Sequence, residues 1–432
     1  MSTIAFLNIA LHGHINPTLP VVAELVGRGH HVTYHTSPAF SAEIEATGAS
    51  VRLYPGGDQP LPDPPTPLTM LDGLARGAVD LLPALLGDLR RLQPDLIVHG
   101  ALCPWGAVAA RELRVAAATT FTTFAFNRYA PSPAHASWKL LAAAAGRPRN
   151  VLGYLRSRWE LSRRYDTRDL PLIDLANLRQ PLNLVFTSRA FQLGAEAFDS
   201  SYRFVGPSLG ARPPDPSFSA EHLRAPVLYA SLGTVFNADP HLLRTFATAL
   251  APLGASVIIS TGRTDPASLG PLPPNVLARR FVPQPEVLAR AALFITHGGM
   301  NSVNEALHAG VPMLVIPHGA DQPLVARRVV ELGAGLSIHP QDVTPGAVNA
   351  LARRLLHEPS FHTAAATLRT AQREAGGYLR ATDELEHYLH RSSQSSWGNQ
   401  NSQNSRSGQS SRSGRDDRGG HSVDSPRSPR ER

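Results

Sequence analysis

The feature that most constrains this chain is a βα rhythm that runs twice, on either side of a segment that can continue neither element. In the first half Ile4–Ala10 reads as a strand, Leu19–Arg28 as a helix and His31–His35 as a strand. Phe40–Thr47, Leu68–Leu92, a strand at Asp95–His99, a helix around Trp105–Leu113 and a strand at Ala116–Phe121 follow. Short apolar runs alternating with amphipathic helical spacing predict a parallel sheet flanked by helices. Near Gly206–Pro216 the run Gly-Pro-Ser-Leu-Gly-Ala-Arg-Pro-Pro-Asp-Pro breaks the pattern, because Pro removes backbone donors and Gly adds freedom. A second series begins at Val227–Ser231 and continues through His241–Ala251, Ser256–Ser260, Leu293–Thr296, Ser302–Ala309 and Met313–Ile316. The expectation is α/β: two Rossmann-like domains, residues 1–210 and 217–390, with a helix near Phe361–Tyr388 crossing back to the first.

After His390 the composition changes to Ser, Gly, Asn, Gln and Arg, with only Trp397 and Val423 as sizeable apolar side chains. Residues 391–432 are therefore expected to form a disordered Ser/Arg-rich tail. That tail holds eight Arg against four acids, so it supplies more than half of the chain's net charge of +7. The remaining body carries no basic run interleaved with aromatics, which argues against nucleic-acid binding. No apolar stretch reaches the ~20 residues of a membrane span, and the single cysteine, Cys103, excludes an intramolecular disulfide and cysteine-based metal sites. Met1–Ala10 lacks a basic leader and a cleavage site and reads as a buried strand. A soluble, cytoplasmic protein, monomeric or homodimeric, is expected. Two segments interrupt the rhythm, a Pro-rich loop at Pro55–Pro67 and a less periodic stretch at Ala130–Asp169. Such insertions line sites or cover faces.

The most informative segment is Phe281-Val-Pro-Gln-Pro-Glu-Val-Leu, continued by Thr296-His-Gly-Gly-Met-Asn-Ser-Val-Asn-Glu-Ala-Leu-His-Ala-Gly-Val-Pro and ending at Asp321-Gln322. A strand ends at Thr296, a glycine pair permits close backbone approach, and a helix starting near Asn301–Ser302 offers free N–H groups to a diphosphate. His297 can donate to a phosphate oxygen. Glu305, one turn beyond Ser302, can accept from ribose hydroxyls. A lone Gly-Gly would mean only a tight corner; the whole string points to a nucleotide site.

This string resembles the donor-binding signature of nucleotide-sugar glycosyltransferases of the GT-B fold, bacterial macrolide and antibiotic enzymes and plant secondary-metabolite enzymes among them. The similarity extends from residue 1 to about 390. It implies two domains facing across a cleft, the first for the acceptor and the second for the donor. It also implies that Phe281 stacks on the base and Gln284 reaches the nucleoside. His297, Gly299, Asn301 and Ser302 would hold the diphosphate, Glu305 the ribose, and Asp321 with Gln322 the sugar hydroxyls. Phe281 departs from the family's usual Trp, which leaves uracil or thymine open. Ser231-Leu-Gly-Thr234 is similar to a family loop that meets phosphate or the acceptor side, with Thr234 as the contact.

His12-Gly-His-Ile-Asn-Pro17 sits between the first strand and the first helix, where α/β folds place reactive groups. It resembles the family's Gly-His-(Ile/Val)-Asn-Pro element, which makes His14 the catalytic base. An imidazole suits removal of an acceptor hydroxyl proton as that oxygen attacks the anomeric carbon. The implied reaction inverts the anomeric configuration and needs neither metal nor cofactor beyond the UDP- or TDP-sugar co-substrate. The acceptor would be a small lipophilic natural product such as a polyketide, macrolide or phenol. His12 reads as positional or acceptor-facing.

One departure stands out at Pro94-Asp-Leu-Ile-Val-His-Gly100. Family members commonly carry an Asp at the position of Gly100, where it orients the catalytic His. Asp95 lies too early on the strand and His99 should point to the opposite face, so no replacement is legible. If the loop has room, Gly100→Asp is expected to raise turnover. The missing carboxylate keeps two rivals open: a catalytically silent sugar-nucleotide-binding partner of another glycosyltransferase, and a GT-B epimerase.

Overall fold

The computed structural model describes residues 1–56, 66–127, 146, 148–172, 174–210, 215, 217, 218, 223–233 and 239–410, the side chains of 395–410 excepted. The chain divides into two compact units, Met1–Glu386 and His387–Arg432. The first unit holds both sheets. Seven parallel strands, β1 (Thr3–Leu7), β2 (His31–Thr36), β3 (Ser50–Leu53), β4 (Leu96–Gly100), β5 (Ala116–Phe121), β6 (Leu182–Val185) and β7 (Tyr202–Phe204), lie in the order β3-β2-β1-β4-β5-β6-β7. Six more, β8 (Val227–Ser231), β9 (Ser256–Ser260), β10 (Val276–Arg279), β11 (Ala291–Thr296), β12 (Met313–Val315) and β13 (Gly335–Ser337), lie in the order β10-β9-β8-β11-β12-β13. Both orders reverse direction once, between β1 and β4 and between β8 and β11. A crevice opens there beyond the strand C-termini, and α/β sheets bind ligands at such points.

The near-continuous apolar character of the central strands follows from burial on both faces. Ile4, Ala5, Leu96 and Ile97 are inaccessible to solvent, as are Leu228, Ala230, Phe294 and Ile295. The first sheet packs one face on Pro67–Leu92, Pro104–Leu113 and Pro148–Arg164, burying Leu81, Leu82, Leu89, Trp105 and Leu161 among others. The second sheet is covered on one side by Pro240–Leu250 and Pro345–His357 and on the other by Met300–Ala309 and Gln322–Glu331.

The expected strands and helices recur with shifts of one to three residues at their ends. Asp95 lies just before β4, and its carboxylate accepts from the Thr3 N–H at 2.7 Å. The single helix expected near Phe361–Tyr388 is two helices, Pro359–Glu374 and Gly377–Ser410, separated by Ala375 and Gly376. The start of the last helix returns to the first sheet's lobe, as expected: Arg28 pairs with Asp383 at 2.7 Å and Glu386 at 2.6 Å, and Arg203 with Glu384 at 2.9 Å. Its helical backbone runs past His390 into the segment expected to be a tail. The disorder expected for 411–432 falls outside the described residues, as do most of the Pro-rich loop and the stretch 128–145. Among the described residues no helix is long and apolar enough to cross a membrane.

The two lobes meet through a buried polar network. Asn304 donates from Nδ2 to the Phe186 carbonyl at 2.8 Å and accepts on Oδ1 from Thr187 Oγ1 at 2.8 Å and Gln372 Nε2 at 2.9 Å. Gln372 Oε1 in turn accepts from the Ser188 N–H at 3.0 Å. Each polar group is paired, so the lobes are held in register without an unsatisfied buried donor here.

Candidate active site

Residues expected from the sequence lie beyond strand C-termini of both lobes, and hydrogen bonds from Asn301 and to Asp321 join the two sides. Beyond β11, the helix Met300–Ala309 begins at Gly299, whose extended backbone (φ −62°, ψ 132°) carries no side-chain cap. Its first N–H groups and the positive end of its dipole face the corner, a ready anion site. Asn301, in the first turn, donates from Nδ2 to the Gly13 carbonyl at 3.2 Å. That bond places the helix start directly against the loop that carries His14.

The glycines of this corner make room for one ring. A Cβ at Gly299 would lie 2.5 Å from His297 Nε2, and a Cβ at Gly233 would lie 2.6 Å from His297 Cε1. The imidazole of His297 is therefore packed between two backbone segments that only glycine allows so close. Burial, with His318 as a second cause, pushes its pKa down to about 4. The ring is neutral at physiological pH and carries one N–H.

Gln284, Ser302 and Glu305 form one cluster. Gln284 Nε2 donates to Glu305 Oε2 at 2.7 Å and to Ser302 Oγ at 3.3 Å, while Tyr229 donates its hydroxyl to Gln284 Oε1 at 3.1 Å. Glu305 is only 6% exposed, and its carboxylate has a protein partner in Gln284. Phe281 stands 64% exposed three residues before Gln284, an open aromatic face with nothing packed over most of it. Gln322 is buried and spends its Oε1 on the N–H groups of His318 and Gly319, at 2.8 and 3.2 Å. Asp321 reaches the other lobe, accepting on Oδ2 from Thr123 Oγ1 at 2.6 Å. Burial raises its pKa, and the Thr123 hydrogen bond partly offsets the rise. Thr234 lies outside the described residues.

His14 follows β1, in the short helix His12–Ile15. Its Nδ1 lies 3.0 Å from Thr122 Oγ1, just past the end of β5. Among the described residues no carboxylate hydrogen-bonds the ring, and desolvation alone drives its pKa down to about 4. His12 is exposed and packs edge-on against Phe40 at 4.8 Å. His99 points away from the crevice, as expected, with Nδ1 2.9 Å from the Gly100 carbonyl and Nε2 2.9 Å from Gln180 Nε2.

The room assumed for a side chain at residue 100 does not exist. A Cβ there would sit 2.3 Å from Asn8 Oδ1 and 3.5 Å from Cys103 Sγ. Asn8, Thr122 and Thr123 are the site residues that sequence reasoning missed. The signal was available: all three lie at or just beyond the C-terminal ends of parallel strands, where this architecture places its chemistry. Among the described residues no three His, Cys, Asp or Glu side chains come together as a metal site.

Comparison with known proteins adds to this geometry. Residues 244–375 match the family described as the erythromycin biosynthesis protein CIII-like C-terminal domain. The chain is 33% identical over 399 residues to the NDP-glycosyltransferase YjiC of Bacillus subtilis, covering 90% of this chain and 98% of that protein. It is 31% identical over 398 residues to the oleandomycin glycosyltransferase of Streptomyces antibioticus, covering 89% and 90%. Among solved structures, the kitacinnamycin glycotransferase superposes with a TM-score of 0.81 at 30% identity, over 90% of this chain and 99% of that one.

Proposed function

Because the chain belongs to the family of nucleotide-sugar glycosyltransferases with the GT-B fold, we propose that it transfers a hexose or deoxyhexose from a UDP- or TDP-sugar to a hydroxyl of a lipophilic natural product. The observation that carries this reading is the Asn301 to Gly13 hydrogen bond at 3.2 Å, which sets an uncapped helix N-terminus against the His14 loop. A diphosphate on that helix end and an acceptor beside His14 would share one crevice.

In this reading the diphosphate takes the helix N–H groups, Asn301, Ser302 and the neutral His297. The base stacks on Phe281, Gln284 contacts the nucleoside, and Glu305, aligned by Gln284, accepts from the ribose. Asp321 and the free amide end of Gln322 meet the sugar hydroxyls. His14 takes the acceptor proton as the acceptor oxygen bonds to the anomeric carbon from the face opposite the diphosphate. The carbon–oxygen bond to the diphosphate breaks, its electron pair leaves with the nucleoside diphosphate, and the configuration inverts. The buried, unpaired Cys103 fits work in a reducing cytoplasm. The silent-partner and epimerase alternatives gain no support from the named relatives.

The test is product formation. UDP-glucose or TDP-glucose with a panel of polyketide, macrolide and phenolic acceptors should give a mass increase of one hexose on an acceptor. His14→Ala should abolish that product and leave UDP or TDP binding by calorimetry intact. Donor hydrolysis or donor epimerisation without acceptor modification would overturn the proposal.

A further inference from the structure

His14 is held by two neutral groups, and the carboxylate missing from the sequence at Gly100 is not replaced by another among the described residues. Asn8 is fixed by Tyr54, whose hydroxyl donates to its carbonyl at 3.1 Å and itself accepts from Trp105 Nε1 at 3.1 Å. Asn8 Oδ1 accepts from the Ile9 N–H at 3.1 Å, and its Nδ2 donates to the His14 carbonyl at 2.9 Å. The amide thus occupies the space beside Gly100 and ties down the His14 backbone. On the ring side, Thr122 Oγ1 is the partner of Nδ1 at 3.0 Å.

From this arrangement we infer that Asn8 and Thr122 are the positioning residues of His14, and that this uncharged clamp restricts the enzyme to phenolic or enolic acceptor hydroxyls in preference to alkyl ones. The inference rests on His14 being the base. For Nε2 to accept a proton, the ring must carry its own proton on Nδ1, and Thr122 Oγ1 is placed to accept that N–H. Among the described residues Nε2 makes no hydrogen bond, so its lone pair is free for the acceptor.

A hydroxyl can choose the tautomer, but it cannot stabilise the imidazolium as an anion would. Burial works in the same direction, disfavouring the charged ring. A weak base can drive the reaction only if the acceptor gives up its proton easily. A phenol ionises near ~10, about six units closer to the base than a water-like hydroxyl at ~16. Polarisation of a phenol by Nε2 is enough to raise the nucleophilicity of its oxygen; an alkyl hydroxyl needs proton transfer to a ring that resists the charge.

One acceptor carrying both groups gives the sharpest test. 4-(2-Hydroxyethyl)phenol is incubated with UDP-glucose or TDP-glucose, and the glucoside position is read by NMR. The phenolic glucoside is expected in at least about tenfold excess, the scale of general-base effects. Equal amounts, or an excess of the alkyl glucoside, would overturn the acceptor assignment.

Thr122→Val and Thr122→Ser test the positioning role. The Val variant should lose about tenfold or more in kcat with donor KM nearly unchanged, and Ser should restore most of it. In ¹⁵N-histidine spectra, with His14 assigned by the His14→Ala difference, the Val variant should shift from the Nδ1–H toward the Nε2–H tautomer. An unchanged kcat and tautomer in Thr122→Val would overturn the positioning role. If His14→Ala itself turned over like the parent, or if no acceptor gave product, the transferase reading with its His14 base would fall, and this inference with it.

Discussion

Thr123 Oγ1 donates to Asp321 Oδ2 at 2.6 Å, joining the end of β5 in one lobe to the Asp-Gln pair of the other. A hydroxyl from the protein thus sits on the carboxylate proposed to read the hydroxyls of the sugar. The bond leaves the other lone pairs of the carboxylate for further hydroxyl donors.

Asp321→Asn tests the cost of holding that carboxylate in a desolvated place. The folded-state pKa of Asp321 is raised by burial, so the folded protein holds its proton more tightly than the unfolded chain does. Its stabilising share is therefore present at low pH and is lost as pH rises through the folded pKa. The Asn variant has no proton to lose and should melt at a higher temperature than the parent at pH 7, with the gap closing toward pH 4. Donor affinity should fall at the same time. A variant that melts lower at pH 7 and equal at pH 4 would show that the carboxylate is stabilised in place.

Gly100→Asp, expected from sequence to help, should instead lower both turnover and stability. The new Cβ would displace Asn8 Oδ1 and release the His14 carbonyl from Asn8 Nδ2. The double variant Asn8→Ala with Gly100→Asp vacates that space. Its stability should exceed the sum of the two single effects, with a coupling of about 0.5–3 kcal/mol in a denaturation cycle. Additive losses would mean that the two side chains do not compete for the same volume.

Gly299→Ala probes the His297 pocket cleanly, since residue 299 has a φ of −62° that any L residue adopts. Among the described residues the three atoms nearest to such a Cβ all belong to the His297 ring, the first 2.5 Å away. Calorimetry with UDP and TDP should show about tenfold weaker binding or more, equivalent to about 1.4 kcal/mol, with an unchanged circular dichroism spectrum. Adding His297→Ser should restore the packing but not the affinity. Full affinity in the alanine variant would place the diphosphate elsewhere.

The acid limb of kcat/KM should fall near the His14 value of about 4, well below the ordinary imidazole range near 6.5. Desolvation favours the neutral ring, so the base stays competent as pH drops from 8 toward 5. A limb at 6 to 7 in the free enzyme would indicate that a charged partner supports the ring.

The sequence carried the architecture because its central strands are buried on both faces and so appear as apolar runs. Short strands with exposed residues, such as β3 with Arg52 and Leu53 or β10 with Leu277, gave no such signal. Residues of the donor cluster were legible because a helix fixes Ser302 and Glu305 one turn apart. The partners of His14 were not, because Asn8 and Thr122 lie 114 positions apart in the chain and meet only through the register of β1, β4 and β5. A neutral Asn or Thr also looks the same in sequence whether it clamps a base or ends a strand.

The chain leaves the first lobe and comes back to it at one spot. Gly377 donates its N–H to the Val205 carbonyl at 2.6 Å, and a Cβ on Gly206 would meet the Gln372 carbonyl at 2.7 Å. The second sheet and its helices are therefore a cassette whose two ends touch, like a bead on a closed loop of thread. Exchange of residues 207–376 with the matching part of a relative puts both splices within the same few ångströms and leaves the contact of Asn304 and Gln372 with Phe186, Thr187 and Ser188 as the other surface that must fit. Such an exchange would move the proposed donor side as a block while His14, Asn8 and Thr122 stay with their own half.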